Sequence, residues 1–335
     1  MGRGLRHGSG DMLHIYSATG KSLIGNGDAL PADAVWIDLF QPTPDEEARV
    51  EALLGIDVPT AEDMAEIETS SRLYIDNGAL VMTATLATGL ITENPEIVPV
   101  SFVLGDAHLV TVRYAEIRSF DRYAAQLERA PGQCGEPAAA LMGLIDAVVD
   151  RLADGLEHVG REVDQISRAA FRRADPLARG RQQRRSNLAL QALLSRLGSA
   201  QDGLSKARES VVSLSRALTF LQASAPKEAG LAVPIKTQLR DLASLADQAS
   251  FIGTNLNFLL DATLGLISIE QNAVLKIVSV ASLVFLPPTL VAGVYGMNFD
   301  HMPELEWVLG YPMAIGIMLA AAILPYALFR WRGWL

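Results

Sequence analysis

The sequence predicts an α+β domain followed by long helices and two C-terminal transmembrane helices. Three observations carry that expectation. Short β-rich runs alternate with capped helical segments between residues 34 and 114, apolar residues recur at helical spacing from 138 to 259, and two stretches near the end hold no formal charge. Those stretches, Ile277 to Phe299 and Tyr311 to Phe329, are 23 and 19 residues long. As helices, each is long enough to cross a hydrocarbon core of about 30 Å.

The opening MGRGLRHGSGD (1–11) is Gly-rich and basic with no apolar run, so it is expected to be a disordered N-terminus rather than a signal peptide. An α/β domain is expected over 12–136. Within it AVWIDLF (34–40) is strand-like, and TPDEEARVEALLGI opens a helix. Thr43 is its N-cap, Pro44 takes the first helical position and Glu46 completes a capping box. Thr60 and Asp63 start a second, acidic helix. ALVMTATLAT (79–88) is β-rich, and IVPVSFVLGDAHLVTVRY (97–114) reads as a hairpin turning at Gly105-Asp106. A helix from about Ile117 to Ala130 precedes the linker APGQCGEP.

Residues 137–224 carry long 3.6-type patterns broken at Asp175-Pro176, where Asp can cap and Pro can begin a helix. They are expected to form a long antiparallel helical hairpin. Seven arginines crowd its tip (Arg168, Arg172, Arg173, Arg179, Arg181, Arg184, Arg185). No aromatic residues are interleaved to stack on bases, which favours a solvated turn over a nucleic-acid contact. Next, a stalk helix is expected over 232–276. There Leu239, Leu242, Leu245, Ala249, Ile252, Leu256 and Leu259 are spaced by threes and fours, the spacing of a coiled coil. No breaker precedes Pro287, so this helix should continue into a first span over 277–298. A periplasmic loop (299–310), a second span (311–329) and a basic tail (330–335) complete the chain.

Charge placement orients the spans. Lys276 precedes the first span and Arg330 and Arg332 follow the second, whereas the loop has Asp300, Glu304 and Glu306 and no Lys or Arg. Positive residues favour the cytoplasmic side, so both chain ends are expected there. The net charge of −10 makes solvated acidic faces the background expectation. Cys134 is the single cysteine, which excludes an internal disulfide or a cysteine-based zinc cluster. The five histidines are scattered, and there is no Gly-x-Ser-x-Gly, no Walker loop and no Gly-x-Gly-x-x-Gly after a strand. No enzyme and no resident cofactor are expected.

One stripe on the third long helix bears on function. Asp261, Ser268, Asn272, Leu275, Ser279, Ser282, Leu286 and Thr289 fall on one face, and the same steps reach Gly293 and Gly296. Small polar groups at membrane depth are costly unless they face protein or water. Two readings are open: the hydroxyls bond back to their own helix or glue helices together, or the stripe lines a pore. Two spans cannot enclose a pore, so the second reading requires an oligomer. Leu275 and Leu286 would then form apolar rings able to close it by dewetting. At the outer end, Gly296, Met297 and Asn298 follow the span. A ring of Asn298 amide oxygens would hydrogen-bond the waters of a cation, which suits magnesium because it dehydrates reluctantly. Asp300, Glu304 and Glu306 would concentrate cations before entry.

LPPTLVAGVYGMNFDHMPEL, followed by GYP, a second apolar span and the ending FRWRGWL, closely resembles the CorA family of magnesium and cobalt transporters, whose hallmark is Gly-Met-Asn at the end of the first of two membrane helices. NFLLDATLGLISIEQN resembles the family's stalk and PTAEDMAEIETSSRLY its N-terminal domain. The resemblance implies a homopentameric, funnel-shaped channel in a bacterial-type inner membrane, in contact with the lipid bilayer and with no nucleic-acid partner. It places the selectivity motif on Gly296, Met297 and Asn298, pore-lining positions on Asn272, Leu275, Leu286 and Thr289, and a basic inner ring on Lys276, Arg330 and Arg332. It also implies a regulatory as well as a transported magnesium ion. Candidate sensing acids are Glu62, Asp63, Glu66 and Glu68 and the helical series Asp146, Asp150, Asp154 and Glu157. Where the family has Lys-rich endings, this chain has Arg-Trp-Arg. A zinc-transporting branch of the same family and a non-conducting, membrane-anchored coiled-coil scaffold are the alternatives.

Overall fold

The computed structural model describes residues 12–17, 20–25, 31, 33–92, 94–130, 132, 135–173, 183–224, 230–297, 303, 307–332. The chain divides into two units, up to Leu260 and from Asp261 onward. The expected disordered stretch 1–11 and the hairpin tip at 174–182 lie outside the described residues.

Among the described residues the first unit has seven strands: β1 (Met12–Ser17), β2 (Gly20–Gly25), β3 (Ala34–Phe40), β4 (Leu73–Asp76), β5 (Ala79–Thr88), β6 (Glu96–Leu104) and β7 (Leu109–Arg113). They form one sheet in the order β2-β1-β3-β7-β6-β5-β4. Only the β3–β7 pairing is parallel; the others are antiparallel. Helices α1 (Pro44–Leu54), α2 (Ala61–Ala65), α3 (Thr69–Arg72) and α4 (Arg118–Arg129) fill the connections. Both caps expected from sequence are present. The Thr43 N–H donates to Glu46 Oε2 at 2.9 Å, and the Thr60 N–H to Asp63 Oδ2 at 2.9 Å. The β6–β7 hairpin has a four-residue connection closed by the Gly105 N–H on the His108 carbonyl at 3.0 Å, wider than a two-residue turn at Gly105-Asp106. The hairpin of β1 and β2 and the strand β4 carry weak alternation and few β-branched residues, and sequence patterning did not single them out.

α5 (Pro137–Arg173) and α6 (Gln183–Ser224) pack beside the sheet, and the start of α7 (Ala232–Tyr295) packs on α5 and α6. α5 and α6 are antiparallel: Glu162 meets Arg196 at 2.9 Å, and Gly203 lies near Val159. α7 runs parallel to α5, because Asp146, Gly160 and Phe171 meet Gln238, Ile252 and Phe258 in that order. Small residues permit the close approach of α5 to the sheet domain. A Cβ at Gly155 would fall 2.6 Å from Leu90.

The buried stripe of α7 runs Ile235, Gln238, Leu242, Leu245, Ala249, Ile252, Leu256 and Leu259. Leu239, expected in this stripe, is only half-buried, and Gln238 holds the register position instead. Its Nε2 donates to Asp146 Oδ1 at 2.6 Å, which is why an amide is tolerated there.

Candidate ion pathway

α7 continues without a break for 64 residues and contains Pro287 and Pro288. The backbone through this pair is helical. The fixed φ of proline is compatible with a helix, and the chain stays helical here, while the carbonyls of Leu283 and Val284 lose their usual donors. The second span-length helix is α8 (Gly310–Trp331). Both are long and apolar enough to cross a membrane.

Within this second unit, the residues of the polar stripe are all exposed: Asp261, Ser268, Asn272, Leu275, Ser279, Ser282, Leu286 and Thr289. Half-shielded positions on α7 form a different stripe, through Ala273, Val280, Val284, Pro288, Val291 and Tyr295. At about 100° per residue, the centres of the two stripes lie about 150° apart around the helix. α8 has one half-shielded stripe of its own, through Ala314, Met318, Ala322, Pro325 and Phe329. The polar face of α7 is thus the face that its own chain leaves bare.

Two hydroxyls on that face bond to their own helix. Ser282 Oγ donates to the Val278 carbonyl at 3.0 Å and Thr289 Oγ1 to the Phe285 carbonyl at 2.7 Å. These bonds use the donors and leave the oxygen lone pairs as acceptors. A hydrated cation presents outward-pointing water hydrogens, so acceptors are what its shell requires.

The helix ends tightly. The Gly296 N–H donates to the Ala292 carbonyl at 2.9 Å and the Met297 N–H to the Val294 carbonyl at 3.3 Å. A Cβ at Gly296 would sit 3.0 Å from the Ala292 oxygen, so glycine suits the position. Asn298, Asp300, Glu304 and Glu306 lie outside the described residues. Lys276, Arg330 and Arg332 are exposed.

The candidate sensing acids are in part engaged. Asp63 closes its capping box, and the Thr60 hydroxyl and N–H hold its carboxyl below the usual carboxylate range. Asp146 accepts from Gln238, Asp154 faces Arg151 at 3.9 Å, and Glu157 faces Arg161 at 3.4 Å. Glu62, Glu66 and Asp150 are exposed. Among the described residues, no three His, Cys, Asp or Glu side chains converge as a metal site.

A mixed α/β unit, a helical hairpin, and a long helix that becomes the first of two apolar span-length helices define the class: a two-span membrane protein with a large extramembrane unit. The family model described as "CorA-like Mg2+ transporter protein" matches residues 31–331, and the chain belongs to that family. Similar curated proteins include "Magnesium transport protein CorA" of Escherichia coli K12, 35% identical over 303 residues, covering 90% of this chain and 92% of the relative. The protein of the same name in Salmonella typhimurium LT2 is also 35% identical over 303 residues, with the same coverage. Among solved structures, the complete CorA magnesium transporter of Methanocaldococcus jannaschii has a TM-score of 0.71 at 16% identity, covering 97% of this chain and 98% of that one. That likeness establishes a shared fold.

Proposed function

We propose that the chain assembles as a homo-oligomer, a pentamer by its family resemblance, and conducts Mg2+ through a central pore lined by α7. Both chain ends lie in the cytoplasm. The observation that carries this reading is the bare polar face of α7, turned away from the half-shielded face, in a member of a Mg2+ transporter family. Neighbouring copies would close that face around water, leaving α8 toward lipid. Ser279, Ser282 and Thr289 then offer acceptors to the hydration shell, and Leu275 and Leu286 form apolar constrictions. Asn298, at the outer end, contacts the ion through its waters, with Gly296 and Met297 shaping the mouth. Asp300, Glu304 and Glu306 attract cations outside, and Lys276, Arg330 and Arg332 ring the inner end. Inward movement of a divalent ion down an inside-negative potential releases about 4.6 kcal/mol per 100 mV, so no ATP is needed.

Mg2+ is also proposed to regulate closure by bridging acids of adjacent subunits. Glu62, Glu66 and Asp150 are better placed for this than Asp63 or Asp146, whose carboxylates are already engaged within the chain.

The test is ion uptake into liposomes containing the purified protein, comparing Mg2+, Co2+, Ni2+ and Zn2+. Mg2+ and Co2+ uptake is expected, and Asn298→Ala should abolish Mg2+ selectivity. Uptake of Zn2+ alone would assign the chain to the zinc-transporting alternative. No uptake of any ion would assign it to the scaffold alternative.

A further inference from the structure

On one face of the N-terminal sheet, α4 and strands β1, β2, β3 and β7 enclose a cavity of about 160 Å³. Seven charged or titratable side chains line it: His14, Tyr16, Lys21, Asp38, Arg113, Asp121 and Glu128. Four are paired. Asp38 holds Arg113 at 2.8 Å, and Lys21 holds Glu128 at 3.3 Å. The second pair joins edge strand β2 to α4, and the Lys21 ammonium also lies 5.6 Å from the centre of the Tyr16 ring. His14 stands on the adjacent strand in register with Leu23 of β2.

A neutral imidazole adds no charge to this cavity. A protonated one adds a third positive group beside Lys21 and Arg113, with Asp38 and Glu128 already committed and Asp121 as the remaining carboxylate. We propose that His14 is a proton-sensitive latch whose protonation loosens the β1–β2 edge hairpin from α4. Burial, then the Lys21 charge, hold the His14 pKa below its ordinary value of 6.5, with Arg113 adding to this and Asp38 and Asp121 opposing it. The closed form therefore binds the proton less tightly than the open form. Protection is full above the ordinary histidine range and falls as pH drops toward the closed-state pKa, where the loss levels off.

Hydrogen exchange of the full-length protein in detergent, compared at about pH 8 and about pH 5.5 after correction for intrinsic rates, tests this across the histidine range. β1, β2 and α4 should lose protection by up to about tenfold per pH unit below the onset, with α6 unchanged as the internal reference. His14→Gln should remove the pH dependence while keeping the protection seen at the higher pH. Asp121→Asn should deepen the loss and move its levelling-off to lower pH with the onset unchanged, because it deletes a charge that favours the imidazolium in the closed form. Should His14→Gln fail to fold, the direction of the Asp121→Asn shift decides. Protection that ignores pH in the wild type, or pH dependence that survives in His14→Gln, overturns the proposal. The latch is independent of ion conduction, and a chain that moved no ion would still show it.

Discussion

Asp38 is 3% exposed and Arg113 5% exposed, so their ion pair lies in the interior of the sheet domain. The carboxylate also accepts from Thr111 Oγ1 at 2.8 Å, and that hydroxyl accepts from Trp36 Nε1 at 3.0 Å. Replacing Arg113 with Met would leave a buried, unpaired charge. A loss of about 3–5 kcal/mol is expected from urea unfolding followed by circular dichroism. At the surface, the Thr60–Asp63 cap gives a pH-dependent prediction. Its folded carboxyl is held below the ordinary range, so the stability it contributes is present above that range and disappears as pH falls through the depressed value. Thr60→Ala should therefore cost about 0.5–2 kcal/mol near neutral pH and somewhat less in acid, where the hydroxyl's bond to the carboxylate is lost but the Asp63 N–H still caps on Thr60 Oγ1, read from urea midpoints in the two buffers. The caps were legible because a capping box spans four consecutive residues. The Asp38–Arg113 pair was not, because it is made by two strands that only the fold brings together.

Among the elements, α7 shows both the reach and the limit of patterning. Its heptad spacing located the buried stripe from Leu242 to Leu259, but a hydrophobicity count assigned Leu239 where the structure buries Gln238. A polar residue in an apolar stripe gives no signal until its partner is known. Gln238 Oε1 is buried without a hydrogen-bond partner, while Asp146 is exposed and can be solvated. Gln238→Leu is expected to be neutral or to stabilise by up to about 2 kcal/mol, measured as an upward shift in the urea midpoint. Gly155→Ala tests the packing of α5. Its methyl would fall 2.6 Å from Leu90, and overpacking of this kind typically costs about 1–3 kcal/mol. The membrane helices were legible as elements because an uncharged run of that length has few other folded environments.

For the whole molecule, the decisive prediction concerns assembly. One chain presents a bare polar face on its first span and cannot enclose water with two helices. Solution mass measurements on the detergent-solubilised protein should therefore report an oligomer. Cysteine substitution at Ser279 and Ser282 should place both in reach of a water-soluble thiol reagent, whereas cysteines at Val280 and Val284, on the half-shielded face, should react slowly. Equal reactivity on the two faces would remove the pore.

Sequence alone determined the two apolar spans, the capped helices of the α/β domain, the coiled-coil face of the long helix and the membership suggested by Gly296, Met297 and Asn298. Each of these is a local pattern, set by spacing along the chain. Tertiary structure decided the seven-stranded order with its single parallel pair, the buried Asp38–Arg113 network, Gln238 in the helical stripe and the His14 cavity. These depend on contacts between residues far apart in sequence, for which the energetic reward appears only when the backbone has already brought the partners together.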